Sequence, residues 1–281
     1  MQTGQIASAL HFLGKLCRDG PHAEVQANPV LGPLVPADPD QAAAEHHHIF
    51  SWEVLPYRPV FLSPDMLLGA STSRAPSGGV DPEHLCERLS WIAFLLLAEA
   101  EAQEDGKALA RAGARAQLEQ EIADLQRWLP VVRHAVTRSG NRLYAEVLEL
   151  AAEIIANLAG ERRVPRLDLP PAGPDPLAGE RAGLREVATW LCTPVYSGIW
   201  LSRGRMADVV RQTGLPAGFG RREDVMETLL HTAVFQGGLD PLREALSGEW
   251  RAWEQWYRAQ GEDSWAERAA RGGEVIARLR A

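Results

Sequence analysis

Three consecutive histidines, His46, His47 and His48, are the residues of this chain whose type most invites a metal. Imidazole is a good zinc ligand, but neighbours on a helix point about 100° apart and cannot converge on one ion. A usable helical pair needs the i, i+4 spacing of His-Glu-x-x-His, which the sequence lacks. The expectation is one packed histidine, two solvated ones and no metal. A second cluster is "PEHLCE", residues 82–87, which puts Glu83, His84 and Glu87 in the first turns of an apolar helix. A carboxylate there is favoured by the positive helix end, so capping alone accounts for the pattern. The other reading is a polar, pH-sensitive patch built on His84. Adjacent Glu and His do not have the Glu-x-x-His spacing of di-iron helices.

The third stretch is "LPYRPVFL", residues 55–62. Pro56 and Pro59 each remove an amide donor and restrict the residue before them, so an extended or turning segment is expected rather than helix interior. With Tyr57, Phe61 and Leu62 it either seals a core edge or lines a groove for an apolar peptide. Trp250, Trp253 and Tyr257 recur at i, i+3 and i+7, the spacing of a stripe docked on a core. There is no glycine-rich phosphate loop after a strand, no Gly-x-Ser-x-Gly elbow and no evident Cys/His nucleophile pair. No catalytic residue and no cofactor is therefore expected, and the chain reads as a non-enzyme.

Helices must position these residues. The chain has 281 residues and is 46% hydrophobic, enough for a substantial core. Ala, Leu, Glu and Arg dominate while β-branched alternation is scarce, which predicts an all-α fold: one helical-bundle-like domain of about ten or more helices. The spacing predicts helices over 6–18, from about 38 through the histidines, and from 81, where Asp81 caps a helix that starts at Pro82. In that helix Leu85, Leu89, Ile92 and Leu96 share a face, and the apolar run 91–98 predicts contact on most sides. Further helices are expected over 108–128, 130–138, 142–158, 184–191, 206–214, 222–236, 242–260 and 265–280. Residues 160–180 hold five prolines and few large apolar side chains. They predict a hinge at about 161–179 between an N-terminal lobe, about 1–160, and a C-terminal lobe, about 180–281. Such a hinge is compatible with a monomer or a domain-swapped dimer.

Charge and cysteine content narrow the partners. A formal charge of −8 without a basic cluster argues against nucleic acid and suits a basic peptide. The longest apolar run, 91–98, is far short of the roughly 18 residues of a membrane span. The first residues lack a basic leader with a small-residue cleavage site, and the three cysteines match neither a disulfide framework nor a zinc site. A cytoplasmic, reducing setting is expected.

Four stretches taken together resemble a family. "IFSWEVLPYRPVFL" is similar to the aromatic and Pro-Tyr stretch of the TorD/DmsD-type (redox enzyme maturation) chaperones of molybdoenzymes. "PEHLCERLSWIAFLLLAE" resembles their Pro-x-Asp-His helix, with Glu83 and His84 at the Asp-His positions. "WLPVV", from Trp128, is similar to their Trp-x-Pro motif, and "LCTPVYSGIWLSRGRMADVVRQTGLP", 191–216, resembles their Pro-x-x-Ser-Gly segment. After Pro-Tyr, where the family often has Glu and Ser, this chain has Arg58 and Pro59. The resemblance spans roughly 40–258. It implies an all-helical chaperone that binds the catalytic subunit of a molybdopterin-dependent oxidoreductase, often through a twin-arginine leader, and holds it for cofactor insertion before export. On that reading Pro56, Tyr57, Phe61, Trp91 and Trp128 line an apolar groove, and Glu53, Glu83 and His84 make polar contacts. Two alternatives remain open: an assembly chaperone that masks a leaderless segment of its client, and a metal-dependent helical enzyme using His46 to His48 and Glu83.

Overall fold

The segments rich in alanine, leucine and glutamate form helix throughout the computed structural model, which describes residues 2–63, 83–178 and 183–280. Thirteen α-helices, a 3-10 turn at Gly32–Leu34 and a π-helix at His48–Glu53 make up the regular structure, and the described residues contain no β-strand. The fold is all-α, as the composition predicts. Of the described residues, 2–59 and 83–168 form one compact unit, and 60–63, 169–178 and 183–280 form a second. The division at 168 falls inside the proline-rich stretch.

The first unit contains α1 (Thr3–Asp19), α2 (Ala23–Gln26), α3 (Pro39–His47), the start of α4 (Arg58–Leu62), α5 (Leu85–Glu104), α6 (Ala108–Arg138) and α7 (Arg142–Arg162). The long helices pack in a closed order, α1 on α5, α5 on α6, α6 on α7 and α7 back on α1. Leu10, Leu13 and Leu16 of α1 meet a core completed by Leu85, Leu89, Ile92 and Leu96 of α5, all buried. Gly14 sets the closeness of the first pair, because a Cβ there would stand 2.8 Å from the Cys86 carbonyl oxygen. Asn141 caps α7 by accepting the Tyr144 amide hydrogen at 3.0 Å, which satisfies one of the orphan donors of the first turn.

Several boundaries differ from the sequence reading. Asp81 and Pro82 lie outside the described residues; the N-cap of α5 is His84, whose Nδ1 accepts from the Cys86 amide at 3.1 Å. Helix α6 runs through Pro130 instead of ending before it. The missing donor and the ring clash cost about 3 kcal/mol. Burial of Trp128, Leu129, Val131 and Val132 around the proline offsets that cost. Residues 58–62 form α4 rather than an extended segment, because Pro59 falls in a first turn, where its missing amide hydrogen had no intrahelical partner to lose.

The second unit contains α8 (Leu184–Cys192), α9 (Pro194–Ser197), α10 (Arg203–Thr213), α11 (Arg222–Gln236), α12 (Leu239–Ala259) and α13 (Asp263–Ala277). The aromatic stripe of α12 docks on a core as its spacing predicts: Trp250, Trp253 and Tyr257 are buried. Their polar atoms clamp the turn after α9, with Trp250 Nε1 donating to the Ser197 carbonyl at 2.9 Å and the Tyr257 hydroxyl donating to the Gly198 carbonyl at 3.0 Å. Gly198 is required there twice over, by its φ of +80°, in the left-handed region that favours glycine, and because a Cβ would overlap the Ala269 backbone nitrogen. The buried Arg222 guanidinium lies 3.6 Å from the Trp200 ring centroid and donates to the carbonyls of Leu201 and Cys192. Part of the proline-rich stretch also belongs to this unit. Arg268 donates to the Pro170 carbonyl, Arg271 to Gly173 at 2.8 Å, and Arg278 pairs with Asp175 at 2.8 Å.

Candidate functional site

Helix α3 ends with His46 and His47 and runs into a π-helix that begins at His48 and leads to the Pro-Tyr segment, and each of the three rings has a different partner. His46 Nε2 donates to the Cys17 carbonyl at 3.0 Å and its ring packs against Phe50 and Tyr144. His47 Nε2 accepts from Trp52 Nε1 at 3.2 Å, which leaves its Nδ1 to donate to the Ser51 hydroxyl at 3.1 Å. His48 lies 3.7 Å from Glu53. His46 is half-buried and the other two are exposed. Among the described residues no three His, Cys, Asp or Glu side chains are grouped to hold a metal.

Beyond Pro56 the chain meets the start of α5 in a single antiparallel bridge between Tyr57 and His84. Arg58 N–H donates to the Glu83 carbonyl at 3.0 Å and Leu85 N–H donates to the Pro56 carbonyl at 2.8 Å. The Tyr57 and His84 rings meet edge to face with centroids 4.9 Å apart. Tyr57, Glu83 and His84, expected at one groove, are thus neighbours in the fold. The sequence reading did not foresee the ion network beneath them. Arg58 reaches Asp124 at 2.6 Å and Glu83 at 3.6 Å; Arg88 reaches Glu83 at 2.9 Å and also Glu121; Arg127 reaches Asp124 at 3.2 Å. Three arginines balance three carboxylates, so Glu83 already has two cationic partners. A ligand arginine must exchange with one of them to gain its charge.

The remaining expected residues separate by burial. Trp128 and Phe61 are 0% exposed and Glu53 is 6% exposed. Pro56 is buried as well. Trp128 sits in the α6 core, and Phe61 packs in the second unit against Trp200 with centroids 5.3 Å apart. Of the four expected aromatic walls, Tyr57 is half-buried and Trp91 is 43% exposed. Trp91 has two companions that sequence reasoning missed, Phe94 at 55% and Leu97 at 50% exposure. The Trp91 and Phe94 rings stack with centroids 5.0 Å apart. Their i, i+3, i+6 spacing was available in the sequence, but an unbroken apolar run carries no period that separates an outer face from an inner one.

Chemically this is an exposed apolar face. The stripe on α5 runs from Glu87, which lies 3.4 Å from Arg18, toward the exposed Glu101 and Glu104. The three cysteines are free and buried. Desolvation, reinforced by the neighbouring Glu87, pushes the Cys86 thiol up to about 12, far from the thiolate a nucleophile requires. Burial likewise pushes Cys192 up to about 12. No helix among the described residues is long and apolar enough to cross a membrane. Comparison of the chain with family models, with curated proteins and with solved structures returns no match.

Proposed function

We propose that this chain is a cytoplasmic, non-enzymatic chaperone of the TorD/DmsD kind, which holds the catalytic subunit of a molybdopterin-dependent oxidoreductase by its N-terminal leader until cofactor insertion is complete. The observation that carries the reading is the solvent-facing Trp91, Phe94 and Leu97 stripe on the helix that bears the family-like "PEHLCERLSW" sequence. A leader is an apolar stretch behind basic residues. Its apolar part would cover the stripe, and its arginines would meet Glu101 and Glu104 or exchange into the Arg58, Arg88 and Glu83 network. Each apolar side chain buried contributes about 1.5 to 3 kcal/mol, whereas an exposed ion pair adds about 0 to 1 kcal/mol, so affinity would be mainly apolar.

Calorimetry with synthetic twin-arginine leader peptides at two salt concentrations tests this. Trp91→Ala is expected to weaken binding by about 2 kcal/mol while the circular dichroism spectrum stays unchanged, since the side chain is partly exposed. Raising the salt should weaken binding only slightly. Absence of leader binding at tens of micromolar, alongside capture of a leaderless client, would reject this reading in favour of a chaperone that masks an internal segment.

A further inference from the structure

A cleft of about 460 Å³ lies in the first unit, between α1 and α7, away from the α5 stripe. Ile6 and Phe12 form one wall and Leu150 and Ile154 the other; all four are half-buried, over a floor that includes the buried Leu13 and Leu31. Asn28 holds the floor in place, its Oδ1 accepting from the Val30 and Leu31 amides at 2.9 and 3.0 Å. The volume is typical of a ligand site, and the walls are apolar on both sides.

The outer edge of the α7 wall is not apolar. Glu153, Asn157 and Glu161 line it at i, i+4 and i+8, parallel to the apolar row of Leu150, Ile154 and Leu158. Neither glutamate takes part in an ion pair among the described residues. Arg162, the cation next to Glu161 in sequence, is drawn away to Glu99 at 2.7 Å. The two carboxylates stand about 12 Å apart along the helix, at 1.5 Å per residue. An apolar lane flanked by two negative charges two turns apart is complementary to one kind of partner. That partner is a helix with an apolar stripe and basic residues at i and i+7 or i+8.

We infer that this cleft is a docking site for an amphipathic helix of a partner protein that carries two basic residues two turns apart. The site shares no residue with the proposed leader surface and stands whether or not that proposal holds. The probe is a labelled synthetic peptide of about 18 residues, leucine on one face and arginine at two positions seven apart, titrated by anisotropy against the full chain. A peptide with glutamate at those two positions should bind about tenfold more weakly. Glu153→Gln with Glu161→Gln, both at exposed positions, should weaken the arginine peptide about fivefold at low salt and hardly at all at high salt. Ala9→Trp, which fills the cleft, should reduce binding about tenfold or more. Equal binding of the two peptides, or indifference to the double glutamine variant, overturns the inference even if Ala9→Trp fails to fold. Binding of hexylamine without binding of the peptide overturns it too, and marks the cleft as a small-amine site. A leader peptide run in parallel separates the two proposals: its loss with retention of the arginine peptide counts against the leader reading alone.

Discussion

His134 on α6 shows what burial does to a single titratable group. It is 6% exposed, and desolvation, with the Arg138 and Arg133 guanidinium groups adding repulsion, pushes its pKa down to about 3. The folded chain therefore keeps this ring neutral while the unfolded chain protonates it below about 6.5, so the contribution to stability is full above that pH and shrinks as the pH falls toward 3. Between pH 6.5 and 5 the expected loss is about 2 kcal/mol, and chemical denaturation at the two pH values measures it. His134→Leu should flatten that slope, and an unchanged slope would show that another group sets it. Residue identity alone told a mixed story. The histidine run was legible in that one ring packs and two face solvent, because neighbours on a helix point about 100° apart. Trp128 and Phe61 were misplaced on a groove wall because a motif names a residue type and leaves its direction open. Trp128 turned into the α6 core, where its loss would affect stability before binding.

At the scale of elements, helix identity was legible from composition and period, and the errors sit where tertiary packing overrides a local rule. Pro130 reads as a break, yet buried side chains on both sides carry α6 through it. The proline-rich stretch reads as a free hinge because it lacks large apolar groups. Indeed 164–175 is irregular, but carbonyls of its second half are bound by arginines of α13, which composition cannot reveal. Gly173 is buried there, and a Cβ on it would stand 2.5 Å from the Tyr196 ring. The amide hydrogens of Leu177 and Ala178 are held by Asp175, itself paired with Arg278. Replacing both Arg268 and Arg271 with Ala should release this strap. Losing two charge-assisted bonds costs about 2 kcal/mol or more, which corresponds to about thirtyfold faster exchange of the Leu177 and Ala178 amides. Exchange at the parent rate in that variant would mean the arginine contacts do not hold the strap. Within the described part of the proline-rich stretch, cleavage by a nonspecific protease should be confined to 164–168 in the parent chain and spread into 170–178 in the variant.

At the scale of the whole molecule, the two units are not two consecutive pieces of chain. Residues 60–63 count with the second unit although the sequence on both sides of them, 2–59 and 83–168, builds the first. The lobes expected from the proline-rich stretch, about 1–160 and 180–281, miss this interleaving, because nothing in the local pattern of "PVFLS" distinguishes which core it enters. The ring of Phe61 does so in the structure: it is fully buried and packs on Trp200, whose ring also carries the Arg222 guanidinium. Removing a buried phenylalanine side chain costs about 3 to 5 kcal/mol. A fragment of residues 169–281 lacks this side chain altogether and should unfold at a lower denaturant concentration than the same unit in the intact chain. Adding a fragment of residues 1–168 in trans should raise that midpoint by returning Phe61 to its place. The same addition with Phe61→Ala should recover little of it, while the helical content of the 1–168 fragment, whose own core does not include Phe61, stays unchanged. Circular dichroism during denaturant titration of each mixture gives the comparison. Independent folding of 169–281, with one midpoint in all three conditions, would show that the unit closes without the strand of chain that the first unit lends it.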